Sequence, residues 1–335
     1  MSRVAVLGGG RSSEHDVSVR SAAAVAAGLR AAGHDVVEIH LPRDGSWTLR
    51  ESGAPVPLTP GGGLLDCEVV FPVLHGPFGE DGTVQGLLDL LDVPYVGSPV
   101  LGSAVCMDKL LFKDLMHTAG IPQVAYEAVH ARDWVRDRDA VLARVAGLGL
   151  PAWVKPSRMG SSVGIAPART VEELAPAIEV ALRHDARVIV EASAVGVEAE
   201  TAVLGSGDDP TVSEIGQIVL TSTDPDAWYD YEAKYTPGGM ELRVPAPISP
   251  TAKARVQELA AKAFTLSCCD GLARADFFVD GENVLLNELN TLPGFTETSA
   301  YGKLWEATGV AYPDLVSRLV ALALQRHSRE RAQAF

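Results

Sequence analysis

The stretch GLARADFFVDGENVLLNELNTLPGFTETS, residues 271–299, decides how the rest of the chain is read. GLARADFFVD and GENVLLNELN read as β-strands, apolar and bounded by turn formers, with 280–283 as the hairpin between them. Side chains two apart on a strand share a face. Arg274 therefore points with Asp276, and Glu288 points with Asn290. An Asp, a Glu and an Asn on one surface form an all-oxygen cluster, suited to Mg²⁺ rather than zinc. Arg274 beside them is a fixed cation, able to hold a phosphate or a developing oxyanion. The competing reading is a solvated strand face, the usual fate of charges in an antiparallel sheet.

The shared face makes a geometric demand. A two-residue turn at Asp280-Gly281 would put Asp276 and Glu288 on opposite faces. The cluster therefore predicts a loop of odd length, three or five residues. A tight two-residue turn without a bulge would exclude it.

Composition bounds what such a cluster can serve. The 335 residues leave room for two or three domains, each with its own core. Hydrophobic residues at 47% and charged residues at 21% fit a soluble globular protein. A formal net charge of −15 argues against nucleic acid and against an anionic membrane surface as partners. Any phosphate-bearing ligand must then be held by a local positive site. The start, MSRVAVLGGGRSSEHD, lacks a signal-peptide pattern, and no stretch approaches the roughly 18 apolar residues that span a bilayer. Cys67, Cys106, Cys268 and Cys269 show neither ligand spacing nor a disulfide framework, and the adjacent pair is expected to be buried thiol at a helix end. A reducing cytoplasm is the expected compartment.

Along the chain, the strand RVAVL (3–7), then Gly8, Gly9 and Gly10, then a helix pattern over 17–32 give the layout of a nucleotide-binding α/β unit. The dinucleotide fingerprint is incomplete, with Ser13 in place of its third glycine. In the polar run after the glycines, Glu14 could cap the helix or bind a substrate ammonium. HDVVEIHLP is a second strand, and 43–63 carries little signal. The loop HGPFGEDG follows a third strand and holds His75, Glu80 and Asp81 where open α/β sheets place ligands.

From Gly102 one helix is expected, carrying Lys109, and another over 133–146. PAWVKPSRMGSSVGI delivers Lys155 on a strand into a loop with Gly160, Ser161, Ser162 and Gly164. That loop can fold over phosphates through backbone N–H groups and hydroxyls, although it is not a Walker A. A helix over 170–184 leads to two strands, with Glu191 and Glu198 near their connection. Carboxylates there suit an adenine amino group or ribose hydroxyls. After the strand SEIGQIVLTS, the polar, aromatic segment 222–240 has the length of a functional lid and carries Lys234 and Tyr235. A helix over 251–269 precedes the central hairpin, and helices over 301–307 and 312–325 close the chain.

Taken together, GGRSSEHDVS, HGPFGEDGTVQG, MDK, VKPSRMGSSVG, YDYEAKY, GLARADFF and NELNTLPGFTETS resemble, in order and across nearly the whole chain, the D-alanine–D-alanine ligases of the ATP-grasp superfamily. The resemblance implies an α/β (α+β) fold, with a doubly wound amino-terminal domain (1–101) and two ATP-grasp subdomains (102–186 and 187–335) around ATP. It implies that Lys109, Lys155, Ser161 and Ser162 contact the phosphates, and that Glu191, Glu198 and Phe278 bind the rest of the nucleotide. Asp276, Glu288 and Asn290 would hold two Mg²⁺, with Mn²⁺ as a substitute. Glu14 would bind the first D-alanine's ammonium, with His75 and Glu80 nearby. Lys234 and Ser299 would hold the second substrate's carboxylate. Arg274 and the Gly294 backbone would stabilise the tetrahedral intermediate, while Ser161 and Tyr235 link to Glu14. A cytoplasmic homodimer serving peptidoglycan precursor synthesis is implied as well.

Tyr235 in the EAKY position goes with D-alanine as second substrate, where phenylalanine goes with D-lactate. The chain departs from the family pattern in the small residues of 191–194 and in Met159, where many relatives carry an acidic residue. Three alternatives stay open at the level of sequence. They are a related ligase for D-lactate or another D-amino acid, a nucleotide-binding regulator on the same fold, and a nicotinamide oxidoreductase.

Overall fold

Among the residues described by the computed structural model (1–160, 163–222, 238–296 and 299–333), the strands form three sheets. The first contains β1 (Arg3–Gly9), β2 (Asp35–Leu41), β3 (Thr48–Leu49) and β4 (Val69–Val73), in the order β3-β2-β1-β4. β1 pairs in parallel with both β2 and β4. Alternation along β1 sends Val4 and Val6 into a core with α1 (His15–Ala31). Ala5 and Leu7 enter a second core with α2 (Thr83–Leu91). Both faces are covered, so β4 (VVFPV) is apolar throughout and wholly buried. The loops bearing Glu14 and His75 leave the carboxyl ends of these neighbouring parallel strands.

The second sheet is antiparallel, ordered β5-β8-β6-β7 from β5 (Tyr126–His130), β6 (Ala152–Pro156), β7 (Ala166–Ala168) and β8 (Arg187–Ala192). Its core side is closed by α7 (Val171–Leu182) and α6 (Arg138–Ala146). The single helices expected from 102 and over 133–146 are each broken at an aspartate. α3 (Val100–Met107) gives way to α4 (Lys109–Thr118) at Asp108, and α5 (Ala131–Arg136) to α6 at Asp137. In both, the carboxylate accepts the N–H three residues on, from Leu111 or Ala140. That local bond caps a new helix and competes with continuation of the old one.

The third sheet, ordered β11-β10-β9-β12-β13, contains β9 (Val197–Ser206), β10 (Asp209–Leu220), β11 (Met240–Arg243), β12 (Gly271–Asp280) and β13 (Asn283–Asn290). α8 (Pro250–Leu266) is capped by Ser249, with proline in its first turn, and covers one sheet face. Ala273, Ala275 and Phe277 pack on that side with Val256, Leu259 and Ala263. The opposite face holds Leu272, which packs into the amino-terminal core, and then Arg274, Asp276 and Phe278, which line a cavity.

The chain closes with α9 (Ala300–Ala307) and α10 (Tyr312–Arg331), which return to α1. A Cβ at Gly28 would stand 2.7 Å from the Tyr312 ring, so α10 approaches α1 as closely as glycine permits. The amino-terminal segment thus shares a core with the carboxyl-terminal one. β8 hydrogen-bonds inside the second sheet, although a division at 186/187 would assign it to the third segment. The cysteine expectation needs one correction. Cys269 is buried 3.6 Å from Cys106, but Cys268 sits in a left-handed turn (φ 55°) with its side chain exposed. All four thiols are free.

Candidate active site

The β12–β13 hairpin closes with the two-residue turn Gly281-Glu282, since Asp280 pairs with Asn283. The loop is therefore even, against the expectation of an odd one, and a bulge supplies the missing residue. Phe277 faces Leu286, yet Asp276 faces Glu288, so Asn287 is the extra residue. Beyond the bulge Arg274 faces Asn290. Without it, Glu288 would fall opposite Ala275 and point into the core. On the other side, β9 places Glu200 opposite Asp276 and Glu198 opposite Phe278. One sheet face therefore gathers Glu198, Glu200, Arg274, Asp276, Phe278, Glu288 and Asn290.

Arg274 grips Asp276 with two hydrogen bonds, 2.7 Å from Nε and 2.6 Å from Nη2, and its Nε lies 3.4 Å from Glu200. Directly opposed carboxylates in an antiparallel pair have Cβ atoms about 5 Å apart, close enough to share a cation. With the Asn290 amide oxygen, which accepts the Leu292 N–H at 3.0 Å, they are oxygens of the type that could hold Mg²⁺. Among the described residues, no three His, Cys, Asp or Glu side chains make a metal cluster by themselves.

Across the cavity stands the second sheet. Lys155 on β6 meets Glu191 on β8 at 2.5 Å, and Lys113 on α4 meets the other oxygen of Glu191 at 2.7 Å. Burial opposes a charge on Glu191, but the two ammonium groups outweigh it and hold its pKa down at about 2. Burial likewise opposes the Lys155 charge, and Glu191 overcomes it, raising the lysine's pKa. Lys155 is thereby kept cationic and aimed at the cavity. Lys109 opens α4 just after the Asp108 cap and donates to the Met159 carbonyl at 2.9 Å. Asp108 also accepts from Ser157 at 2.7 Å and pairs with Arg187, tying helix start, loop and β8 together.

The parallel-sheet loops complete the wall. Glu14 occupies the cap position of α1, but its side chain caps nothing there. Its carboxylate instead lies against Gly76 and Gly160, where a Cβ would come within 2.4 and 2.8 Å. A side chain at either position would push the Glu14 carboxylate from this contact between the amino-terminal loops and the loop after β6. Glu80 accepts the Gly76 N–H at 2.5 Å, and burial and then Glu14 push its pKa well up. Burial keeps His75 neutral, its pKa lowered. Its Nδ1 faces the Leu292 carbonyl at 3.1 Å, so that nitrogen carries the proton, and Nε2 accepts from Ser21.

Glu14, His75, Glu80, Lys109, Lys155, Glu191, Glu198, Arg274, Asp276, Phe278, Glu288, Asn290 and Gly294 thus border one cavity of about 290 Å³. Apolar side chains from Val124, Trp153, Ile165 and Leu289 line it between the charged ends, a surface suited to an aromatic base. Ser299 lies beside Gly294 and bonds Thr296. Ser161, Ser162, Lys234 and Tyr235, and most of the 222–240 segment, lie outside the described residues. Sequence reasoning missed Lys113, Glu200 and Asn287. Of these only Glu200 carried a local signal, lying two along the strand from Glu198.

Two antiparallel sheets facing each other across a cleft of lysines and carboxylates, beside a parallel-sheet domain, define an ATP-grasp architecture. The chain belongs to the D-alanine–D-alanine ligase family. Residues 3–57 and 57–98 match the model of the family's amino-terminal part ("D-ala D-ala ligase N-terminus"), and 115–321 that of its carboxyl-terminal part ("D-ala D-ala ligase C-terminus"). It is 46% identical to the D-alanine–D-alanine ligase of Deinococcus radiodurans, over 96% of this chain and 98% of that one. Its fold superposes on the D-alanine–D-alanine ligase of Coxiella burnetii with a TM-score of 0.87 at 35% identity, covering 98% and 95% of the two chains. The VanG D-Ala:D-Ser ligase of Enterococcus faecalis gives 0.84 at 33%, covering 96% and 99%.

Proposed function

We propose that this chain joins two D-alanines into D-alanyl-D-alanine at the expense of ATP, releasing ADP and phosphate. The observation that carries the reading is the bulged hairpin. It sets Arg274, Asp276, Glu288 and Asn290 on one face, opposite Lys155 and beside Glu14. A carboxylate and a triphosphate repel each other, so their reaction requires concentrated positive charge between them. Lys109 and Lys155 supply part of it at the phosphates. Asp276, Glu288 and Asn290 would hold Mg²⁺, which neutralises phosphate oxygens as charge moves in phosphoryl transfer.

Glu14 binds the first D-alanine through its ammonium, leaving the carboxylate to take the γ-phosphoryl group. The acyl phosphate so formed hydrolyses readily, so water must be kept out, and the 222–240 segment is assigned that task. The amine of the second D-alanine, once deprotonated, attacks the carbonyl carbon. Arg274 and the Gly294 backbone N–H balance the oxyanion, and phosphate leaves. Lys234 and Ser299 hold the second carboxylate, while Ser161 and Tyr235 latch loop and lid to Glu14. Glu191, Glu198 and Phe278 border the adenine and ribose, and Ser162 joins the lysines at the phosphates. Neutral His75 and Glu80 lie beside Glu14 at the seat of the first D-alanine.

The chain is divided as an amino-terminal domain and two ATP-grasp subdomains, works as a cytoplasmic homodimer, and serves cell-wall precursor synthesis. The test is phosphate release with ATP and Mg²⁺, comparing D-alanine with L-alanine, followed by mass analysis of the product. Release with D-alanine and a dipeptide mass supports the reading. Release that ignores the amino acid's chirality, or more D-alanyl-D-lactate than dipeptide at neutral pH when both acceptors are offered, contradicts it.

A further inference from the structure

We propose that Glu200 is a positioning residue: a second seat for the Arg274 guanidinium, occupied when a divalent cation takes Asp276. The inference rests on the reading of Asp276 as a metal ligand. Both oxygens of Asp276 are engaged by Arg274, at 2.7 and 2.6 Å. A cation bound there needs at least one of those oxygens, and it repels the guanidinium. Arg274 cannot discharge by losing a proton, and it is largely buried. A second carboxylate within reach is Glu200, directly across from Asp276 on β9, its Oε2 already 3.4 Å from Arg274 Nε. Ala202 stands opposite Arg274 itself, a small side chain that leaves the guanidinium room to lean toward Glu200.

Burial supports the assignment independently. Glu200 is 1% exposed, and a carboxylate so deep is costly unless a cation answers it. Handing Arg274 from Asp276 to Glu200 keeps the guanidinium on the reacting face while releasing the metal ligand. Cation binding and the readiness of Arg274 are then one event.

The test is a double-mutant cycle on Mn²⁺ affinity, read by the spin-resonance signal of free Mn²⁺ with the protein saturated in a non-hydrolysable ATP analogue. Glu200→Gln is expected to weaken Mn²⁺ binding roughly tenfold while Arg274 is present, because the guanidinium then competes harder for Asp276. In an Arg274→Ala background the same substitution should change affinity less than about twofold. Equal losses in both backgrounds would mean that Glu200 acts on the metal as simple negative charge, and would overturn the proposal. An unchanged affinity with Arg274 present overturns it as well. If Glu200→Gln does not fold, Glu200→Asp takes its place in the same cycle, with a smaller loss confined to the Arg274 background. A wild-type protein that binds Mn²⁺ no better than the nucleotide analogue alone refutes the metal reading itself, and this inference with it.

Discussion

Replacing Lys113 by methionine removes one of the two cations that hold Glu191, at a site where both partners are almost wholly buried. The native pKa of Glu191 is about 2 against an ordinary 4.5, a depression of about 2.5 units, worth on the order of 3 kcal/mol at neutral pH. Breaking a buried pair from one side typically costs roughly 3–5 kcal/mol. Lys155 still answers Glu191 at 2.5 Å, so we expect a loss at or just below the bottom of that scale, about 2–3 kcal/mol.

The pH dependence has a definite sign. A carboxylate whose folded pKa is depressed stabilises fully above its unfolded pKa, and that stability is lost as pH falls through the folded value. The wild-type advantage over Lys113→Met should therefore be greatest at pH 7 and shrink below pH 4.5, as the wild type approaches pH 2. Urea unfolding at a series of pH values, followed by circular dichroism, measures it. A difference below about 0.5 kcal/mol at pH 7, or one that stays constant to pH 3, would refute the reasoning.

Arg274→Ala leaves two buried carboxylates without their cation, so it should lower the unfolding midpoint and, per folded molecule, lower kcat by roughly 10²–10³, the scale for loss of one oxyanion stabiliser, in a coupled ADP-release assay. Gly160→Ala puts a Cβ within 2.8 Å of the Glu14 carboxylate. It should raise KM for the first amino acid about tenfold or more while leaving nucleotide affinity, measured by calorimetry, nearly unchanged. His75→Gln should flatten the fall in stability below pH 6.5. Burial lowers the native pKa of His75, so the unfolded chain takes up the proton first and acid destabilises the fold. Thermal unfolding midpoints at pH 7 and pH 5 for the two proteins settle that comparison.

The segments carrying the site were legible because short-range rules govern them. Alternation in GLARADFF and NELN puts Arg274 with Asp276 and Glu288 with Asn290 on sequence alone. Whether the two strands show those faces to the same side depends on one bulge. Nothing in FVDGENVLLNE marks Asn287 as the extra residue, because its position is set by pairing across the whole sheet. The helix breaks at Asp108 and Asp137 were hidden for a different reason. The apolar period runs through both and masks a local signal, an aspartate whose side chain accepts the N–H three residues on and starts a new helix.

Lys113 reads as a surface lysine until β8 delivers Glu191 to it, which is a contact between distant segments. Glu200 follows from the same two-residue alternation that puts Arg274 with Asp276, since it lies two along the strand from Glu198. Cys268 looked like its buried neighbour, and the left-handed turn that exposes it follows from how α8 ends.

A crystal grown with Mg²⁺ and a non-hydrolysable ATP analogue measures the central claim. The triphosphate should lie between Lys155 on one sheet and Asp276, Glu288 and Asn290 on the other, with the metal on those oxygens. A nucleotide bound with its phosphates away from that hairpin would contradict the account at its root.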